Sequence, residues 1–105
     1  MDLPRLRQAV TAGRIRWRVH ALEAMLERAI GSSQVIAVLV SGQVLEDYPD
    51  DTPYPSALFM APVGGRVLHV VVAFDAHQDY AYVVTAYEPD TDHFEPDFRT
   101  RRRHG

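Results

Sequence analysis

The chain has 105 residues, 47% hydrophobic and 24% charged, a balance that fits one globular domain and excludes a disordered body. It has no cysteine, which excludes disulfides, thiolate metal sites and a cysteine nucleophile. The net charge of −3 hides a split: residues 1–30 carry six arginines against Asp2, Glu23 and Glu27, residues 31–97 carry Arg66 against eleven acids, and residues 98–105 carry four arginines.

Every basic residue is arginine, and lysine and asparagine are absent. A GC-rich genome produces this pattern, which also supplies guanidinium forks for phosphate. Were the two basic ends to meet in space, they would form a face able to recruit a polyanion. The N-terminus MDLPRLRQAV has no apolar run of signal-peptide length, and no window approaches the ~20 apolar residues of a membrane span. The expectation is a soluble, cytoplasmic protein.

Residues 3–12 place Leu3, Leu6, Ala9 and Val10 at helical spacing, with Gly13 as the stop. Residues 17–30 predict a second helix. Its apolar stripe of Ala21, Leu22, Met25, Leu26, Ala29 and Ile30 is expected to face the core, with Gly31 as the C-terminal cap. Ser32 or Ser33 is expected to cap a third helix over about 33–41.

From Gly42 the period shifts towards two. QVLEDY at 43–48 predicts a first strand. PDDTPYPS at 49–56 contains three prolines and reads as an acidic loop. ALFMAPV at 57–63 and RVLHVVVAFD at 66–75 predict two strands joined by a Gly64-Gly65 hairpin turn. After the AHQD turn, YAYVVTAY at 80–87 predicts a fourth strand. The fold class is therefore α+β: two or three N-terminal helices packed on a four-stranded antiparallel sheet, in two layers. Residues 1–98 are expected to form the single domain, with Phe94 and Phe98 pinning its end, and 99–105 a basic tail.

Four residues carry candidate chemistry. His20 and Arg28 fall in one row with Ala24 between them, which suggests a notch for a phosphate or carboxylate held by the guanidinium. His69, in mid-strand, shares its face with Val67, Val71, Ala73 and Asp75. It would converge with His20 if the second helix packed on that face. Tyr87 stands at the exit of the last strand, where a phenol can contact a ligand. Each also has a plain structural role open to it: His20 bonded to a backbone carbonyl, Arg28 paired with a carboxylate, His69 a satisfied buried histidine and Tyr87 closing the core edge. His77-x-Asp79 and Asp90-x-Asp92-His93 lack the spacing of a metal motif, so no metal or cofactor is expected.

These pieces, in order, resemble the domain-of-unknown-function 4258 family. The family pattern has a histidine and, eight residues on, an arginine with a glycine-isoleucine-like step, here "HALEAMLERAI". It continues with a "G-x-V-(I/L)-E-x-Y-P" strand, here "GQVLEDYP", then "LHVVVAFD" and finally "VVTAYEPD". The match spans residues 17 to about 98. This chain departs from the pattern at Ala24, where members often carry arginine, and at Phe94 or Phe98, where they often carry tryptophan.

The family looks similar to the RelE-like toxins of the barnase–EndoU–colicin–RelE group. That resemblance implies a metal-independent endoribonuclease needing no cofactor. His20 would act as general base or acid, His69 as a second proton carrier, Arg28 would stabilise charge on the phosphate, and Tyr87 would orient substrate. RNA and a cognate antitoxin would be the partners. The alternative is a non-catalytic interaction module, paired with another protein or with itself. The strongly acidic middle of the chain argues against a wide RNA-binding surface.

Overall fold

The computed structural model describes residues 1–90. Its elements are, in chain order, α1 (Leu3–Thr11), β1 (Ile15–Trp17), α2 (Val19–Glu27), α3 (Ser32–Ser41), β2 (Gln43–Tyr48), β3 (Ser56–Val63), β4 (Arg66–Asp75) and β5 (Tyr80–Tyr87). The strands form one sheet in the order β1-β5-β4-β3-β2. The α+β class holds, but the sheet has five strands and is mixed, because β1 pairs with β5 in parallel. A three-residue strand is too short to show a period. Its partner pins it: Ile15 and Trp17 lie opposite Ala81 and Val83, and backbone bonds at both ends (Ala81 N to Arg14 O, 3.0 Å; Arg18 N to Val83 O, 3.3 Å) lock the register.

All three helices lie on one face of the sheet, where Leu6, Ala21, Met25, Val35 and Leu39 meet Phe59, Leu68, Val70, Val72 and Val83 in a single core. Alternation along β3 and β4 turns Leu58, Met60, His69 and Ala73 to the opposite face, where they too are buried. The acidic loop folds over part of this second face, with Tyr54 stacked on Tyr82 at 5.5 Å and 9°. Phe74 N donates to Pro55 O at 3.0 Å and ties the loop down.

The second helix differs from its expected bounds. It begins at Val19, because Trp17 is spent in β1, and it ends at Glu27. Ala29, not Gly31, takes the left-handed conformation, with φ 54°. Ile30 N bonds Met25 O at 2.8 Å and Ala29 N bonds Leu26 O at 3.3 Å, the paired bonds of a Schellman ending. The same motif closes α1, where Gly13 has φ 80°, Arg14 N bonds Ala9 O at 2.8 Å and Gly13 N bonds Val10 O at 3.1 Å. Gly31 instead precedes α3 as its N-cap residue, and its N–H donates to Gln34 Oε1 at 3.0 Å. Neither Ser32 nor Ser33 caps that helix, since both already lie inside it.

Two bulges shape the sheet. One falls between Val44 and Glu46, and the other interrupts the β4–β5 ladder, where Val71 pairs with Thr85 and Val72 with Val83. The second leaves Val84 as the extra residue and switches the alternation of β5. Ala81, Val83 and Ala86 all reach the core, while Tyr80, Tyr82 and Tyr87 lie on the second face. At the far end of this hairpin, Arg5 binds the Asp79 carboxylate and donates to Ala76 O at 2.7 Å, while Arg14 Nε donates to Asp79 O at 3.0 Å. Among the described residues, no single helix is long and apolar enough to cross a membrane. Phe94, Phe98 and the basic run at 99–105 lie outside the described residues.

Candidate functional site

The sheet divides the four residues singled out by the sequence. His20 and Arg28 belong to α2 and its C-cap, on the helical side. His69 and Tyr87 belong to β4 and β5 and meet on the other face. α2 packs on β5 through Ala21 and Met25, on the face opposite His69, so the four do not converge into one pocket.

His20 is at the surface, its side chain 96% exposed, with Nδ1 3.7 Å from Glu23 Oε2. Eight residues along a helix is a rise of about 12 Å, and the side chains are turned about 80° from one another. Arg28 therefore faces a different neighbourhood. Its Nη1 donates to the carbonyl of Ala86 at 2.8 Å and fastens the end of α2 to β5. The partner is a backbone carbonyl rather than the carboxylate that a surface arginine usually finds.

His69 is fully buried in mid-strand, opposite Met60 on one side and Tyr87 on the other. Its ring lies 5.4 Å from that of Tyr87, tilted by 54°. The β5 bulge makes this pair, because an uninterrupted alternation from Tyr80 would send Tyr87 to the core face.

Sequence reasoning did not single out Arg66 for chemistry, yet it is a structural hub. Nη1 donates to Arg28 O at 3.2 Å, and Nη2 donates to Ala29 O and, at 3.0 Å, to Gln34 Oε1. Nε lies 3.8 Å from Glu88 Oε1. One guanidinium thus caps the carbonyls at the end of α2 and joins them to the first turn of α3. Arg66 and Glu88 also line a cleft of about 530 Å³ beside the Gly64-Gly65 turn, and their opposite charges offset each other there.

A second cleft, of about 560 Å³, lies over the other face beside the acidic loop, between Asp47, Asp50, Asp51, Ser56 and Val71. Ser56 Oγ donates to Asp51 Oδ2 at 2.6 Å. Nearby, the buried Asp75 accepts from His77 N at 2.9 Å and Gln78 N at 3.2 Å. Its negative charge, followed by burial and by neighbouring Tyr82, raises the pKa of Tyr54 above the ordinary tyrosine range. The sign of this cleft suits a cation and opposes a phosphate chain. Among the described residues, no three metal-ligating side chains come together.

The sequence also hid an exposed apolar stripe. Val19 is 68% exposed, Leu22 47% and Leu26 84%, while Ala21 and Met25 are buried. At 100° per residue, Ala21 to Leu26 covers an arc of about 140°. The sheet takes the half that holds Ala21 and Met25. Leu22 and Leu26, expected in the core, are left outside with Val19. Glu23 and Glu27 border the stripe on one flank, and both are exposed.

No curated protein and no solved structure matches this chain. A family model does, over residues 17–88, from β1 to the end of β5, and it takes in all four of the residues discussed. The chain belongs to the family described as Domain of unknown function (DUF4258).

Proposed function

We propose that this protein is an interaction module that docks another protein through the outer face of α2. The observation that carries the reading is the stripe of Val19, Leu22 and Leu26, open to solvent on a domain whose other helical apolar residues are largely packed. Scattered single apolar residues are ordinary on a surface, but three at i, i+3 and i+7 make one continuous strip. Residues so placed are the usual anchors of helix recognition. The test is site-specific photo-crosslinking in the native host, with the reactive group at position 22 or 26 and a control at exposed Thr11. The expected result is one dominant crosslinked polypeptide from positions 22 and 26 and none from position 11. An identical pattern from all three positions refutes the reading.

A second reading, a metal-independent ribonuclease related to the RelE-like toxins, draws on the His69–Tyr87 ring pair. On that reading Tyr87, the half-buried member of the pair, meets and orients the substrate, and the fully buried His69 serves as proton carrier behind it. His20 and Arg28, on the helical side, take no part in it. Its test is induced expression with total RNA followed over time. Growth arrest with RNA cleavage that is lost in His69→Gln and kept in His20→Ala supports it. Unarrested growth with intact RNA excludes it.

A further inference from the structure

We infer that the partner of the α2 stripe is an amphipathic helix whose apolar ridge is bordered by lysine or arginine. The inference rests on the docking role proposed above and goes on to name the chemistry of the occupant. On a helical wheel the stripe spans the arc from Leu22 to Val19. Glu23 and Glu27 follow on one side only, at about 40° and 80° beyond Val19. Glu27 makes no ion pair among the described residues, and the carboxylate of Glu23 has only the exposed His20 imidazole at 3.7 Å. Glu27 also sits in the last turn of α2, where a negative charge opposes the helix dipole. Its local position therefore contributes nothing to stability, and a cation brought by a partner would gain from both carboxylates.

The same charges disfavour the other occupants. An anionic lipid surface approaching the stripe would meet the two carboxylates. A second copy of this chain is disfavoured for a geometric reason. An antiparallel two-fold pair of α2 helices brings the same flank of each copy together, so carboxylate would face carboxylate. A parallel pair brings opposite flanks together, and there Arg18, at the N-cap, stands level with Glu23 of the other copy alone, which leaves Glu27 facing no cation. A helix with basic residues on one flank satisfies the apolar stripe and the acidic border at once.

The experiment uses the whole chain and two labelled helical peptides of identical apolar ridge, one with lysine and one with glutamate on the flank that meets Glu23 and Glu27, read by fluorescence anisotropy. The lysine peptide is expected to bind about tenfold more tightly at low salt, and the gap should close in 1 M salt, where the Debye length is ~3 Å. The double variant Glu23→Lys/Glu27→Lys should invert the preference, and Leu26→Ser should weaken both peptides about equally. Binding of both peptides with no charge preference, together with loss in Leu26→Ser, overturns this inference and leaves the docking face standing. Failure of both peptides to bind by ~1 mM, with no crosslink from position 22 or 26, overturns both. Tighter association with anionic vesicles than with the lysine peptide also overturns it, as does a self-crosslink at twice 11.9 kDa.

Discussion

Ala29→Gly should make this protein more stable. Ala29 has φ 54°, a conformation that costs an L-residue about 1–2 kcal/mol and glycine almost nothing. Glycine returns part of that gain, because it frees the unfolded chain by about 0.4–1 kcal/mol. The Ala29 methyl is exposed, so its removal loses little packing, and the carbonyl that accepts from Arg66 is unchanged. The net expectation is about 0.5–1 kcal/mol of added stability, or a rise of roughly 2–6 °C in Tm for a domain of this size. The chain contains its own control. Gly13 closes α1 with the same pair of backbone bonds and φ 80°, and a Cβ there would meet nothing within 4 Å. Gly13→Ala therefore isolates the conformational penalty and should cost about 1 kcal/mol, the mirror of the first substitution. Urea unfolding followed by circular dichroism, with thermal melts, reads both. If Ala29→Gly is neutral or destabilising while Gly13→Ala costs stability, the left-handed ending assigned to α2 is wrong.

Arg66→Met should cost about 1.5–2.5 kcal/mol, since three hydrogen bonds from one charged donor are lost at the α2–α3 junction; a urea midpoint within error of wild type would show that the hub is incidental. Gly42→Ala should cost at least about 2 kcal/mol, because its Cβ would stand 2.4 Å from Val38 O and 2.8 Å from Met60 O, both backbone atoms with little room to yield; wild-type Tm in that variant would contradict the α3–β3 approach. Tyr54 should ionise later than an ordinary tyrosine in an absorbance titration, and Asp75→Asn should bring it back. Folding holds the proton on that phenol. Its contribution to stability is therefore complete below the usual tyrosine range and lost as pH rises through the elevated folded value. A titration in Asp75→Asn that still shows the late component would assign the shift elsewhere.

Most of the architecture was legible because it rests on long periodic segments. The runs at 43–48, 57–63, 66–75 and 80–87 coincide with β2 to β5 within a residue, and the Gly64-Gly65 turn has φ 58° and 82° as a primed hairpin requires. What escaped has a physical cause in each case. β1 is three residues long and is held by its partner strand, so no local signal announces it. The left-handed residue after α2 is an alanine, which hides a stop that glycine would have declared. The β5 bulge is also silent in the sequence, because valine and threonine suit either side of a half-buried sheet.

The candidate site failed as a cluster for one reason: a helical row says which residues share a surface, but not which face of the sheet the helix will cover. His69 shares its face with Val71, Ala73 and Asp75 as the alternation requires, and that half of the reading is sound. The helices took the opposite face, where Phe59, Val70 and Val72 offer a continuous apolar surface that His69 and Asp75 would have broken. Burying Ala21 and Met25 against that surface then decides the rest of α2. Arg28 is drawn down to Ala86, His20 is left in solvent, and Leu22 and Leu26 are turned outward as surplus apolar surface. The stripe follows from where the core lies and marks the face on which a partner should be sought first.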